Sequence, residues 1–192
     1  SSPPRQHLYL VDGSAYIFRA YHRLPPLTNP EGTPVGAVYG YTTMLWKLAD
    51  ALNKADGPTH LAVILDKAGQ SFRNEIYPEY KATRPPPPED LKPQFPLIRD
   101  ATRAFSLHCI EEEGLEADDI IASYARAANA AGWDVTIVSS DKDLMQLIGP
   151  HDNGSHTDML DTMKNQRIGI PEVAGKFGLP PPLVGDLLAF IG

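Results

Sequence analysis

Seven carboxylates stand out by where they fall in the chain: Asp12, Asp66, Glu116, Asp118, Asp119, Asp141 and Asp143. Asp12 directly follows the apolar run Leu8-Tyr9-Leu10-Val11, and Asp66 directly follows Leu61 to Leu65. Asp141 follows Val135 to Val138 after two serines. Glu116-Ala117-Asp118-Asp119 sets three acids ahead of a helical pattern, and Asp141-Lys142-Asp143 sets two at i, i+2. Each has a plain explanation. An aspartate after a strand commonly caps the next helix. Acids in a first helical turn complement the helix dipole, at about 0.3–1 kcal/mol each. A third adjacent carboxylate, however, meets a repulsion that a gain of that size hardly offsets. Glu116 and Asp119 stand at i, i+3 and are expected to share a helix face, with Asp118 pointing elsewhere. Without matching histidines or cysteines, such a set suits a hard divalent cation, Mg²⁺ or Mn²⁺. Two such ions about 4 Å apart can stabilise both the attacking and the leaving oxygen of a phosphodiester.

Those acids need a scaffold that gathers them. Leu8–Val11, Leu61–Leu65 and Val135–Val138 read as buried parallel strands, Leu107–Ile110 as a weaker fourth and Met159-Leu160 as a short fifth. Helical periodicity lies between them, over Val38–Leu52, Pro96–Ala104 and Asp118–Ala131, the last stopped by Gly132. Strands alternating with helices imply a doubly wound α/β sheet. Ligands of such sheets bind outside the carboxyl ends of the strands, the edge where these aspartates fall. No Walker A, GxGxxG or Ser-His-Asp pattern supports another chemistry.

Two stretches depart from the alternation. Residues 67–95 carry Arg73, Lys81, Arg84 and Lys92 among Phe72, Tyr77 and Tyr80, then four prolines at 85–88. Composition alone leaves a solvated loop and a functional insertion equally open. His151 to Asp158 reads as a polar surface loop, its histidines matching no zinc spacing. Pro171 and Pro180–Pro182 open short helical segments near the end.

Bulk properties bound the rest. The 192 residues suit one domain, and a hydrophobic fraction of 42% can fill a core. No apolar run approaches the roughly 18 residues of a membrane span, and residues 1–6 carry no secretory leader pattern. One cysteine, Cys109, fits a reducing compartment, so the cytoplasm is expected. The net charge is −7. Setting the seven acids aside leaves 17 Asp plus Glu against 17 Lys plus Arg, so bound cations would offset the excess where it arises.

The segments LVDGS at 10–14, LD at 65–66, SFR at 71–73, YKATRPPPPEDL at 80–91, GLEADD at 114–119 and SSDKDLMQL at 139–147 resemble the 5′-nuclease family in sequence and order. They resemble the N-terminal nuclease region of bacterial DNA polymerases more than stand-alone flap endonucleases. The resemblance implies a PIN-like (resolvase-like) α/β fold, a mostly parallel sheet flanked by helices, as a single core domain over 1–192. It implies metal-dependent 5′-3′ exonuclease or flap endonuclease activity in DNA replication and repair. Asp12, Asp66, Glu116 and Asp118 would gather around one ion and Asp141 and Asp143 around a second, with Asp119 nearby. Residues 67–95 would form a helical arch in which Arg73, Lys81 and Arg84 meet the 5′ strand, Arg73 and Lys81 neutralise the scissile phosphate, and Tyr80 stacks on a base. The partners implied are DNA with a 5′ end or flap and a polymerase region of the same polypeptide, the chain being otherwise monomeric and free of membranes. The family continues with an Asp-rich loop and a helix-hairpin-helix not present here, so a weak, DNA-binding fragment is the first alternative. A PIN-type ribonuclease is the second, and it leaves the insertion unexplained.

Overall fold

A computed structural model describes residues 5–66, 88–112, 115–161 and 166–169. In chain order these form β1 (His7–Asp12), α1 (Gly13–Arg23), α2 (Gly36–Ala51), β2 (His60–Ile64), α3 (Gln94–Ala104), β3 (His108–Ile110), α4 (Ala117–Ala130) and β4 (Asp134–Val138). A short 3-10 helix (Lys142–Leu147), β5 (Gly149–Pro150), β6 (His156–Asp161) and β7 (Gln166–Ile168) follow.

The strands make one sheet in the order β3-β2-β1-β4-β6-β5, with β7 also on β6. Neighbours from β3 through β6 run parallel, and β5 and β7 pair with β6 antiparallel. This is the α/β, mostly parallel arrangement expected from the alternating pattern. All five expected strands are present within a few residues of their apolar runs, β6 being extended at its start. The described residues contain no helix long and apolar enough to cross a membrane.

Alternation along each strand divides the core into two layers, because successive side chains point to opposite faces. Tyr9, Val11, Leu61 and Val63 pack with Ile17, Tyr41, Leu45 and Ile98 of α1, α2 and α3. Leu10, Ala62, Ile64, Val135 and Ile137 pack with Ile120, Ile121 and Ala125 of α4 on the other side. Both faces are covered, so these strands read as continuous apolar runs. α2 begins without a side-chain cap of its own. Instead, Gln94 of α3 is buried and its Oε1 accepts from the amides of Ala37 and Val38, at 2.8 and 3.1 Å. That cap satisfies orphan helix donors from a distant part of the chain.

The turn from β1 into α1 depends on Gly13. A Cβ there would lie 2.6 Å from Leu65 Cδ2 and 2.8 Å from Val63 Cγ1, so only glycine lets the helix start press against β2. At the other end of α4, Gly132 has φ of 85° and supplies the expected left-handed stop.

Three features differ from expectation. α1 was not anticipated, because its apolar positions Tyr16 and Ile17 are few and interrupted by Arg19, Tyr21, His22 and Arg23. β5 and β7 are too short to show a period. The expected loop at 151–158 ends early: β6 starts at His156, and Thr157 and Asp158 are buried polar residues within it. Their polarity hid the strand, yet it is satisfied by Asn129 Oδ1, 2.7 Å from the Thr157 hydroxyl, and by the Thr136 hydroxyl, 2.6 Å from Asp158. The helical segments expected after Pro171 and Pro180 lie outside the described residues, as does the insertion up to Pro87.

Candidate metal centre

The parallel register brings the ends of β1, β2 and β4 level, with Asp12 beside Ile64 and Val11 beside Val138. Asp12 is only 3% exposed. Its Oδ1 caps α1 weakly, 3.4 Å from the amide of Ala15, and its Oδ2 accepts from the Ser139 hydroxyl at 3.0 Å. Asp66, also buried, accepts from the amide of Ala117 at 2.8 Å, while its own amide donates to Ser14 Oγ at 2.8 Å. Thus Asp66 does cap a helix, α4, which is distant in sequence. Asp141 caps the 3-10 helix, accepting from the amide of Asp143 at 3.0 Å.

Asp12, Asp118 and Asp141 each present a carboxylate oxygen, and these oxygens lie within 4.8 Å of one another. Among the described residues no lysine or arginine is ion-paired with any of the three. Burial pushes Asp12 up to about 7, opposed by the Ser139 hydrogen bond and reinforced by the charges of Asp141 and Asp66. Burial also pushes Asp118 up to about 9, reinforced by the charges of Asp141 and Asp12 and by a hydrogen bond with Asp141. Carboxylates this close cannot all stay ionised without a cation.

Asp118 corrects the expected helix geometry. It was expected to point away from the face shared by Glu116 and Asp119; it points into the cluster, and Asp119 is exposed. The reason is periodicity: Asp118 stands at i−3 and i−7 from buried Ile121 and Ala125, on the stripe that faces the sheet. Asp119 shares its face with exposed Ser123 and Arg126. Glu116 is half-buried at the extended N-cap of α4 and makes no side-chain cap bond. Asp143 is exposed at the rim, and its charge is one of those raising Asp118. Arg73, Tyr80, Lys81 and Arg84 lie outside the described residues.

Three residues at this edge escaped sequence reasoning. Ser139 is fully buried, donates to Asp12 and accepts from the amide of Asp141 at 3.1 Å, so one hydroxyl ties two of the clustered segments. Asp161 ends β6 as Asp12 ends β1, and the rule that picked Asp12 would have picked it after Met159-Leu160. Arg19 of α1 lies 3.8 Å from Asp161 Oδ1 and donates to Ser140 Oγ. No spacing signal marks it.

Comparison with known proteins agrees with this arrangement. Residues 7–178 match the family described as 5′-3′ exonuclease, N-terminal resolvase-like domain. The chain is 60% identical over 190 residues to DNA polymerase I of Rhizobium leguminosarum, covering 97% of this chain but 18% of that protein. It is 35% identical over 185 residues to a 5′-3′ exonuclease of Aquifex aeolicus, covering 96% of this chain and 61% of that one. The chain therefore spans about a fifth of the polymerase relatives and under two thirds of the exonuclease. In fold it is similar to T5 5′-exonuclease with divalent zinc ions bound, with a TM-score of 0.61 at 20% identity, over 93% of this chain and 64% of that one. It is likewise similar to T5 D15 flap endonuclease in a complex with DNA and metal ions, with a TM-score of 0.58 at 19% identity, over 91% of this chain and 61% of that one.

Proposed function

The chain belongs to the family of 5′-3′ exonuclease N-terminal, resolvase-like domains, and from that premise we propose that it is the core of a divalent-cation-dependent nuclease acting on DNA at 5′ ends or flaps. The observation that carries this is the convergence of Asp12, Asp118 and Asp141 on one point at the carboxyl edge of the sheet. The residues fit a hard cation. All three donors are carboxylates, none is paired with a basic side chain among the described residues, and the cluster carries more negative charge than it can hold ionised. Mg²⁺ or Mn²⁺ is the reading these donors favour.

Asp12, Asp118 and Asp141 would hold the ion, with Asp66, Glu116, Asp119 and Asp143 completing the acidic surround of a two-ion site. Divalent ions there supply charge stabilisation to the attacking and leaving oxygens of a phosphodiester. The protein's own part is to fix the carboxylates. Asp66 anchors the start of α4, which carries Asp118, through the amide of Ala117. Ser139 holds Asp12 and the backbone of Asp141 in one geometry. Arg73 and Lys81 would neutralise the scissile phosphate, while Tyr80 and Arg84 would engage the 5′ strand. These roles rest on the motif resemblance, as do an arch over 67–95 and a single core domain over 1–192. The same reading assigns the chain to a DNA polymerase I polypeptide working in the cytoplasm in replication and repair, and as a monomer.

The test is cleavage of a 5′-flapped DNA and of a single-stranded RNA of matched length, each with Mg²⁺, with Mn²⁺ and with chelator. Metal-dependent cutting of the flapped DNA alone is the expected result. Cutting confined to RNA would replace the reading by a ribonuclease. Metal-dependent DNA binding without cutting would replace it by a binding module.

A further inference from the structure

The loop Ser139–Asp143 carries Asp141 away from the end of β4, and something must hold it against the repulsion of its neighbours. Ser139 is fixed by Asp12 and by its amide, which donates to Leu160 O at 3.2 Å. Ser140 is half-buried, and its hydroxyl accepts from Nη2 of Arg19. The same guanidinium reaches Asp161 Oδ1 through Nη1, at 3.8 Å. Arg19 lies on the second turn of α1, but side chains on a helix lean toward its N-terminus, so a long one returns to the sheet edge. Asp161 is buried at the end of β6, the strand in parallel register with β4. A rigid planar fork thus spans three elements: α1, the end of β6 and the loop that bears Asp141.

We infer that Arg19 is a positioning residue, braced on Asp161, that clamps Ser140 and so sets the place of Asp141 in the carboxylate cluster. This rests on the reading of Asp12, Asp118 and Asp141 as cation ligands. Arg19 itself is ion-paired with none of those three among the described residues. Its cationic charge serves Asp161, and its second donor serves the loop. A lysine cannot do both, because a point charge lacks the paired donors of the fork.

The sign of one measurement separates this from a through-space role. Removing a cation near an acidic site should, by charge alone, tighten divalent-metal binding. Removing a clamp should weaken it, since losing a support of a metal ligand typically costs about 10- to 100-fold in affinity. The experiment is Mn²⁺ titration of the 192-residue chain, followed by the electron paramagnetic resonance signal of free Mn²⁺, beside thermal melts. Arg19→Gln is expected to raise the Mn²⁺ dissociation constant about tenfold or more, and Arg19→Lys to fall between it and the parent. Ser140→Ala, a one-atom change at a half-buried site, should weaken binding in the same direction. The double variant should be no worse than Arg19→Gln, because both remove one contact. Unchanged or tighter Mn²⁺ binding in folded Arg19→Gln overturns the inference, as do additive losses. If Arg19→Gln does not fold, Ser140→Ala decides, and unaltered affinity there overturns it. A parent chain that binds no Mn²⁺ would instead bring down the cation-site reading beneath it.

Discussion

The two edges of this sheet treat the same side chain in opposite ways. At the amino edge, Asp134 is met by Arg5 at 3.8 Å and by the His156 ring at 3.1 Å, and it also accepts from the His156 amide. Asp158 takes a hydrogen bond from Thr136, whose hydroxyl is shared with His7 at 2.7 Å. Each acid there has a partner supplied by the chain. At the carboxyl edge, Asp12, Asp118 and Asp141 face one another, and only Ser139, a few amides and shared protons relieve them. Local folding requirements explain the first edge completely. They do not explain the second, where compensation must come from outside the polypeptide.

The largest effect should come from breaking the crowded edge. Asp12→Asn and Asp118→Asn should each cut metal-dependent DNA cleavage by more than about a hundredfold, the upper range for mere supporting residues. Each should also raise the melting temperature of the metal-free protein at pH 8, because a carboxyl that must either stay ionised while buried or take up a proton on folding is removed. Asp134→Asn at the amino edge should do the reverse, leaving activity intact and lowering stability. Activity assays beside melts on the three variants check this. Loss of stability in Asp12→Asn at pH 8 would make the cluster a structural feature.

The next effect follows from the raised pKa values. An acid whose folded pKa is raised holds its proton more tightly folded than unfolded. Its stabilising contribution is therefore fully present below the unfolded value, near 3.8, and is lost as pH rises through about 7 for Asp12 and about 9 for Asp118. The metal-free chain should therefore lose stability progressively between pH 5 and 9. Mn²⁺ competes with the same protons, so its stabilisation should grow over that window. Melts at five pH values, with chelator and with Mn²⁺, read both slopes. A metal-free chain equally stable at pH 5 and pH 9 would contradict the crowding.

What the sequence revealed follows from the same contrast. β1, β2 and β4 are covered on both faces and so appear as apolar runs, interrupted in β4 by Thr136, and an aspartate just after such a run is visible at once. Asp118 could have been placed correctly from Ile121 and Ala125 on its own stripe. β6 was only half legible, because Thr157 and Asp158 are polar residues satisfied by partners 28 and 22 residues away. Ser139 and Arg19 gave no signal, since a serine after a strand and an arginine on a helix have too many ordinary uses. Convergence in space is what distinguishes them.

A smaller effect tests the amino edge itself. Asp158→Ala would leave the Thr136 hydroxyl without the acceptor 2.6 Å away, in a place with no exposure to water. The His7 ring stays 2.7 Å from that hydroxyl, so the loss is that of one hydrogen bond, about 0.5–1.5 kcal/mol, read by denaturant melts. Mn²⁺ affinity should not move, because Asp158 pairs with Thr136 near the start of the sheet, away from Val138 and Asp12. A change in metal binding would mean that the two edges communicate through β4 and β6.

The smallest effect belongs to the side-chain partners of Asp134. Arg5 and His156 are substantially exposed, at 40% and 54% of their side-chain area, while Asp134 is 16% exposed. Water and salt screen such pairs, and each typically contributes no more than about 1 kcal/mol. Arg5→Ala should therefore lower stability by a few tenths of a kcal/mol to about 1 kcal/mol, and less in 0.5 M salt. His156→Gln should cost as little, since the backbone amide of residue 156 still donates to Asp134. In the double variant Asp134 keeps that one amide bond, and it is expected to tolerate the loss because part of its surface reaches water. At the opposite edge Asp12, at 3% exposure, has no such recourse, so it depends on compensation more than Asp134 does. Denaturant melts of both single variants and the double, at low and high salt, measure the difference. A loss above about 2 kcal/mol in either single variant, beyond the range of exposed pairs, would show the amino edge to be as dependent on its side-chain partners as the carboxyl edge is on external cations.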